Sequence, residues 1–249
     1  MSRSWLNRFR RSKLTPRGEV SLFDQPFYEA ITRARLDHLE SLGLPVDGKS
    51  VLDVGCGTGR LSEHFAQRSC DVTCVDGRPE NIEQLRASYP GRKAAVVDVE
   101  SDVLLEQGRF DVVLCYGLLY HLAEPWGFMQ RVGELGSDLL LLETCVADAE
   151  EPMLSLVRDP DDPTMALRSV GSRPSPAYIA AALKSAGFPY VFRPHSAPDH
   201  PDFSWERRGD RAVFRDGHAL RQVFVAARQP LDLPALEQLE VAAPQLENA

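Results

Sequence analysis

The chain lacks any long uninterrupted hydrophobic run. No segment approaches the roughly 18 uncharged apolar residues that a membrane-spanning helix requires, and the first residues contain no apolar core typical of a secretory signal. These absences argue against an integral membrane protein, and we expect a soluble, cytoplasmic one. Hydrophobic residues still make up 43% of the 249 residues, which is enough for a large buried core.

Cysteine is scarce, and its spacing suggests neither disulfides nor a metal. The five cysteines are an odd number, so they cannot all be paired, and each lies singly in a strand or loop context. Cys70 and Cys74 are four residues apart, but no second Cys or His pair follows at the spacing of a zinc site. We therefore expect reduced thiols and no structural metal.

Acidic residues are missing from the first 17 positions, which hold six Lys and Arg. The whole chain carries a formal charge of −8, so the remainder carries −14. The basic tip could bind RNA phosphates or an anionic membrane surface, cap a ligand site, or be a solvated terminus. The acidic remainder argues against broad nucleic-acid binding, although RNA stays open as a partner.

Glycines are concentrated in the run from Val51 to Arg60, VLDVGCGTGR. An apolar strand there breaks into a turn with glycines at Gly55, Gly57 and Gly59, and the absent side chains leave the main chain free to approach a ligand. A dinucleotide loop would need its third glycine where Arg60 stands, which disfavours nicotinamide cofactors. A structural tight turn is the alternative.

Carboxylates follow the next two predicted strands. Asp71 to Asp76 is a short apolar run that ends in an acid 21 residues after Gly55, where a carboxylate can bind both ribose hydroxyls. The strand from Lys93 to Val97 is followed by Asp98, Val99 and Glu100. We expect these acids to meet the glycine turn at one edge of a parallel sheet.

Aromatic residues follow the fourth predicted strand, in the run from Phe110 to Leu122, FDVVLCYGLLYHL. Tyr116, Tyr120 and His121 would lie at the carboxyl edge of the sheet, where open α/β sheets bind ligands. Packing against the following helix is the alternative interpretation for any one of them.

Taken together, these segments resemble the class I S-adenosylmethionine-dependent methyltransferases, with the glycine turn as motif I and the aromatic run as motif IV. The resemblance implies S-adenosylmethionine as the cofactor and methyl transfer to an O or N atom of an acceptor, which we expect to be a small molecule. The implied cofactor-binding residues are Asp53, Gly55, Cys56, Gly57, Gly59, Asp76, Asp98, Val99, Glu100, Tyr116 and Tyr120. His121 is the first candidate for a catalytic base, with helix capping as its alternative role and Tyr120 and Glu143 as reserves.

One subgroup, the tRNA wobble-uridine carboxymethyltransferases, resembles residues 49–228 further. The shared features include Glu143 at a strand end, Trp205, and Arg221, which matches an arginine that meets the extra carboxylate of that subgroup's donor. The subgroup has a sizeable domain rich in Trp and Lys before its catalytic fold, whereas about 48 residues with Trp5 alone precede the first strand here. We therefore expect plain methyl transfer, with carboxymethyl transfer from carboxy-S-adenosylmethionine as the near alternative.

The alternation of strand and helix patterns predicts an α/β fold: a Rossmann-like, doubly wound, mostly parallel seven-stranded sheet with an antiparallel last strand and helices on both faces. We divide the chain into a basic tip and cap helix (1–48), a cofactor-binding domain (49–228) with insertions at 146–174 and 195–217, and a tail (229–249) with one short helix. A non-catalytic S-adenosylmethionine-binding interaction module remains an alternative function, and the sequence leaves the oligomeric state open.

Overall fold

A computed structural model describes residues 26–158 and 166–240, and the basic tip predicted at residues 1–17 lies outside these ranges. Twelve strands are present in the described part of the chain. In chain order they are β1 Ser50–Val54, β2 Asp71–Asp76, β3 Lys93–Val96, β4 Val112–Tyr116, β5 Leu139–Cys145, β6 Leu154–Arg158, β7 Val170–Pro174, β8 Tyr190–Pro194, β9 Phe214–Arg215, β10 His218–Ala219, β11 Arg221–Ala227 and β12 Leu236–Gln238.

Within the described residues, five α-helices connect or cover these strands. They are α1 Pro26–Ser41, α2 Ser62–Ala66, α3 Pro79–Ser88, α4 Pro125–Glu134 and α5 Pro176–Ser185. The best-defined start belongs to α5, where the Ser175 hydroxyl accepts a hydrogen bond from the Tyr178 amide and Pro176 occupies the first turn. Across the described ranges, none of the helices is long and apolar enough to cross a bilayer.

Eight of the strands form one sheet in the order β12-β8-β11-β5-β4-β1-β2-β3. Strands β1 to β5 pair in parallel, and β11 inserts antiparallel between β5 and β8. Because β1 lies between β2 and β4, the chain moves outward in both directions from β1, and this reversal is where doubly wound sheets bind ligands. The predicted α/β class and the antiparallel strand are confirmed.

The core has two apolar layers, one on each face of the sheet. Successive strand residues point to opposite faces, so Leu52 and Val54 pack with α4 and α5, whereas Val51 packs with α1, α2 and α3. Strands β4 and β5 are buried along their whole length, which explains their continuous apolar sequences. The two layers fix the carboxyl ends of the strands, and with them the loops of the candidate site.

The structure differs from the sequence prediction in three places. β12 lies in the segment expected to be a tail, pairs antiparallel with β8 and adds an eighth strand, so the expected short helix there is wrong for the described residues. The insertion predicted at 146–174 contains two strands, β6 and β7, which pair antiparallel. β11, predicted as the last strand, is followed in the chain by β12 and lies inside the sheet between β5 and β8. The domain limits themselves stay a prediction.

Candidate functional site

The glycine turn after β1 is held by the neighbouring strand. The amides of Gly55 and Cys56 both donate to the carbonyl oxygen of Val75, at 2.8 and 3.1 Å. Gly55 has a φ of +68°, and a Cβ there would lie 2.8 Å from the Leu118 side chain. A residue with a side chain would be strained at this φ and would clash with Leu118, so the position requires glycine. Because glycine has no side chain, the main chain here is open to the cleft.

Asp76, at the end of β2, fixes the loops on either side of the cleft. Its Oδ2 accepts a hydrogen bond from the Gly57 amide at 2.9 Å. Its Oδ1 accepts from the amide of Arg78 at 2.9 Å and from Nδ2 of Asn81 at 3.1 Å. Asp76 is 8% exposed, and Oδ2, which accepts only the Gly57 bond among those named, has a lone pair left for a ligand hydroxyl.

A cleft opens between these loops and the ends of β3 and β4. Its lining residues are Gly55, Gly57, Asp76, Gly77, Arg78, Asn81, Val97, Asp98, Val99, Glu100, Gly117, Leu118, His121, Leu122 and Leu167. Its volume of about 110 Å³ is smaller than the roughly 300–1,000 Å³ typical of ligand pockets. One reason is Leu167, whose side chain lies where a Cβ on Gly77 would stand.

The acids after β3 form the rim of the cleft. Asp98 Oδ1 accepts from the Glu100 amide at 3.0 Å, and Glu100 Oε1 accepts from the amides of Ala123 and Glu124 at 3.0 and 3.1 Å. Arg168 then joins the two acids, at 2.7 Å from Asp98 Oδ2 and 3.1 Å from Glu100 Oε2. Glu100 therefore anchors the start of α4, while Asp98 and Val99 face the cleft.

Five of the eleven predicted cofactor-binding residues lie outside the cleft lining, and three of these, Asp53, Cys56 and Gly59, lie beside the glycine turn. Asp53 is 3% exposed, and burial raises the pKa of its carboxyl well above the usual range. Cys56 contacts Gly57 through its thiol, and Gly59 packs against Leu85 of α3. Their direct contact with a cofactor stays a prediction, and the structure shows them supporting the turn.

Of the aromatic residues at the end of β4 and after it, His121 lines the cleft, whereas Tyr116 and Tyr120 lie outside its lining. His121 lines the cleft, and its ring lies 4.1 Å, centre to centre, from that of Tyr120. Tyr120 lies behind it, where its Oη accepts a hydrogen bond from Arg221 Nη2 at 3.2 Å. Burial raises the pKa of Tyr120 to about 12, so this phenol is a poor base at neutral pH. Tyr116 is buried beside the partner strand at Glu143.

Glu143 is enclosed between two guanidinium groups. It is fully buried, with one oxygen bound to Arg35 of α1 and the other 3.0 Å from Arg221 Nη1. Arg221 Nε also lies 3.2 Å from Asp202, and its carbonyl accepts from Trp205 Nε1 at 3.0 Å. With both oxygens engaged, Glu143 holds the two arginines in place and is poorly suited to take a proton from a substrate.

The comparisons with known proteins agree with this geometry. Residues 52–135 match the family model described as "Methyltransferase domain". The match covers about a third of the chain, and over these residues it supports the predicted resemblance to a methyltransferase.

Curated relatives are 34% to 38% identical to this chain over aligned stretches of 94 to 112 residues. The ubiquinone biosynthesis O-methyltransferase of Psychrobacter arcticus is 38% identical over 95 residues, which is 36% of this chain and 37% of that protein. The enzyme of the same name from Xylella fastidiosa is 36% identical over 112 residues, 43% of this chain and 44% of that protein. The matches thus span less than half the length of these relatives, which are not tRNA carboxymethyltransferases.

Solved structures show the same fold over most of the described chain. The N-terminal domain of EvdMO1 with S-adenosylhomocysteine bound covers 79% of this chain and 80% of its own, with a TM-score of 0.59 and 22% identity. Magnesium protoporphyrin IX methyltransferase from Synechocystis, with S-adenosylmethionine bound, covers 85% and 86%, with a TM-score of 0.55 and 16% identity. These likenesses establish the fold.

Sequence reasoning missed the residues that distant segments bring to the site. Arg35 comes from α1, Leu167 and Arg168 from the segment before β7, and Arg173 from β7 itself. Arginines in polar segments give no local signal of their partners, because each contacts residues more than 50 positions away along the chain. Among the described residues, no group of His, Cys, Asp and Glu is arranged to hold a metal ion.

Proposed function

We propose that this protein is an S-adenosylmethionine-dependent methyltransferase that acts on an oxygen atom of a small-molecule acceptor. The observation that carries the proposal is the Asp76 carboxylate, held at the switch point of the sheet beside the glycine turn. The family match and the O-methyltransferase relatives support the reaction type. A cytoplasmic location is part of the proposal.

The cleft residues fit S-adenosylmethionine in three successive parts. The main chain of Gly55 and Gly57 would receive the amino-acid end, because neither residue has a side chain that could block the approach of a ligand. Oδ2 of Asp76 would accept a hydrogen bond from a ribose hydroxyl, and Asp98 and Val99 would flank the adenine. When bound, S-adenosylmethionine supplies a methyl group already activated by its sulfonium.

The protein's own contribution is mainly placement of the acceptor. Holding the acceptor oxygen in line with the methyl group converts an encounter into a unimolecular step, which can lower the barrier by several kcal/mol. His121 is the group in the cleft that would take a hydroxyl proton, since burial of Tyr120 and the ion pairs of Glu143 disqualify the two reserves.

Carboxymethyl transfer to a tRNA wobble uridine is less well supported. It would need Arg221 to bind the extra carboxylate of the donor. Arg221 already pairs with Glu143 and Asp202, so most of its charge is matched within the protein. The net charge of −8 also disfavours a polyanionic acceptor.

Transfer of radiolabelled methyl groups from S-adenosylmethionine to metabolites of a cell extract tests the proposal. We expect label in a small, organic-extractable product, and loss of that product when His121 is replaced by Ala. Binding of the donor without any transfer would support the non-catalytic module instead. Label on tRNA, or transfer from carboxy-S-adenosylmethionine alone, would replace the proposal with the carboxymethyl alternative.

A further inference from the structure

Three buried hydrogen-bond donors around Glu143 and Tyr120 lack partners within the described part of the chain. They are Nε of Arg35, Oη of Tyr116 and Nε of Arg173. The three residues expose only 8%, 5% and 6% of their surface, respectively. Buried donors are nearly always paired in folded proteins, so a group of unpaired ones indicates a ligand that supplies acceptor atoms.

Positive charges outnumber negative charges around Glu143 and Tyr120 among the described residues. Arg35 and Arg221 share the Glu143 carboxylate, and Arg221 also pairs with Asp202. Arg173 differs, because its Nη1 donates to carbonyl oxygens, those of Tyr120 at 3.1 Å and Ser172 at 2.8 Å. Three guanidinium groups therefore meet two carboxylates among the described residues, and a buried cation without a counter-charge favours binding of an anion.

The three arginines lie directly behind the residues that line the cleft. The guanidinium carbons of Arg173 and Arg221 lie 5.3 and 4.8 Å from the centre of the Tyr120 ring, which in turn contacts the His121 ring at a tilt of 44°. On the other side, Arg35 Nη2 would lie 3.1 Å from a Cβ at Gly117, a residue of the cleft lining. An acceptor that reaches His121 is thus adjacent to the arginines.

We propose that the acceptor carries a carboxylate, which binds at Arg173 and Arg35 with Tyr116 as a further donor and leaves the acceptor hydroxyl beside His121. This inference rests on the proposed function and specifies its substrate class. The two oxygens of a carboxylate satisfy the unpaired donors, and its charge balances the third guanidinium. Arg173 is then the residue that selects acidic acceptors over neutral ones.

A matched pair of probes tests this assignment: 3,4-dihydroxybenzoate and catechol, which differ only in the carboxylate. Calorimetry is performed on the full-length protein saturated with S-adenosylhomocysteine. We expect 3,4-dihydroxybenzoate to bind roughly ten-fold tighter or more, as a charged hydrogen bond implies. In Arg173→Met the ratio should fall to about one while the affinity for S-adenosylhomocysteine is unchanged, and Arg173→Lys should retain part of the preference.

Tyr116→Phe keeps the test decisive if Arg173→Met does not fold, because it removes only an unpaired hydroxyl and should also reduce the ratio. Tyr190→Phe, on β8, is the matched control and should leave the ratio unchanged. Equal wild-type affinities, no binding of either probe, or a ratio unaffected by both variants would overturn the assignment. A further result would also overturn the assignment: carboxy-S-adenosylmethionine binding more tightly than S-adenosylmethionine, with the difference lost in Arg173→Met. The arginine would then bind a carboxylate of the donor and not of the acceptor. Failure to bind S-adenosylhomocysteine would instead refute the proposed function.

Discussion

Nη2 of Arg168 lies 2.7 Å from Oδ2 of Asp98, and this ion pair joins the segment before β7 to the acidic rim of the cleft. The neighbouring Leu167 covers Gly77. The segment that precedes β7 therefore occupies part of the space that an adenosyl group would enter, and its contacts should influence donor binding.

We predict that Arg168→Ala makes S-adenosylmethionine bind faster and at least as tightly. The substitution frees Asp98 and loosens the cover of the cleft, while an exposed ion pair contributes only about 0–1 kcal/mol to folding. Stopped-flow binding and thermal unfolding measure the two effects. Arg193→Ala, which removes an exposed pair with Glu237 on β12, is the control. Slower donor binding in Arg168→Ala, with no change in the control, would show that Arg168 helps to hold the ligand.

Replacement of Glu143 should destabilise the fold strongly. Glu143→Ala leaves Arg35 and Arg221 buried without their shared carboxylate, which costs roughly 3–5 kcal/mol for a broken buried pair. Denaturant unfolding provides the measurement. Glu237→Ala removes an exposed carboxylate and should cost less than about 1 kcal/mol. Similar losses in both variants would contradict the buried network.

The stability of the protein should depend on pH through Asp53. Burial raises the pKa of its carboxyl in the folded state, so ionisation opposes folding. This group's contribution is therefore complete below its unfolded pKa, near 4, and is lost as the pH rises toward the folded value. Asp53→Asn should gain stability relative to wild type between pH 4 and pH 8. A stability difference that is constant over that range would show that Asp53 does not titrate as described.

His121→Ala should depress turnover far more than donor affinity. Loss of a general base typically costs between 10² and 10⁴ in rate, whereas the proposed donor contacts are those of the glycine turn and Asp76. Single-turnover kinetics and calorimetry separate the two effects. His64→Ala, on α2, is the control and should leave both values unchanged. Wild-type turnover in His121→Ala would remove this residue from the mechanism.

Local patterns predicted where the glycine turn and Asp76 lie, because both follow adjacent strands whose apolar runs are plain in the sequence. The acceptor side was not predictable in the same way. Arg35 and Arg173 reach their positions through tertiary contacts, and arginine in a polar segment resembles any solvated residue. β12 was missed because three residues are too short to show an alternating pattern.

Calorimetric titration of S-adenosylhomocysteine tests the central claim most directly, with Asp76→Ala and Asp71→Ala as a pair. Both aspartates belong to β2, but Asp71 is exposed at the opposite end of the strand. The account predicts one binding site in the wild type, retained in Asp71→Ala and greatly weakened in a folded Asp76→Ala. No binding by the wild type, or equal affinity in the two variants, would contradict it.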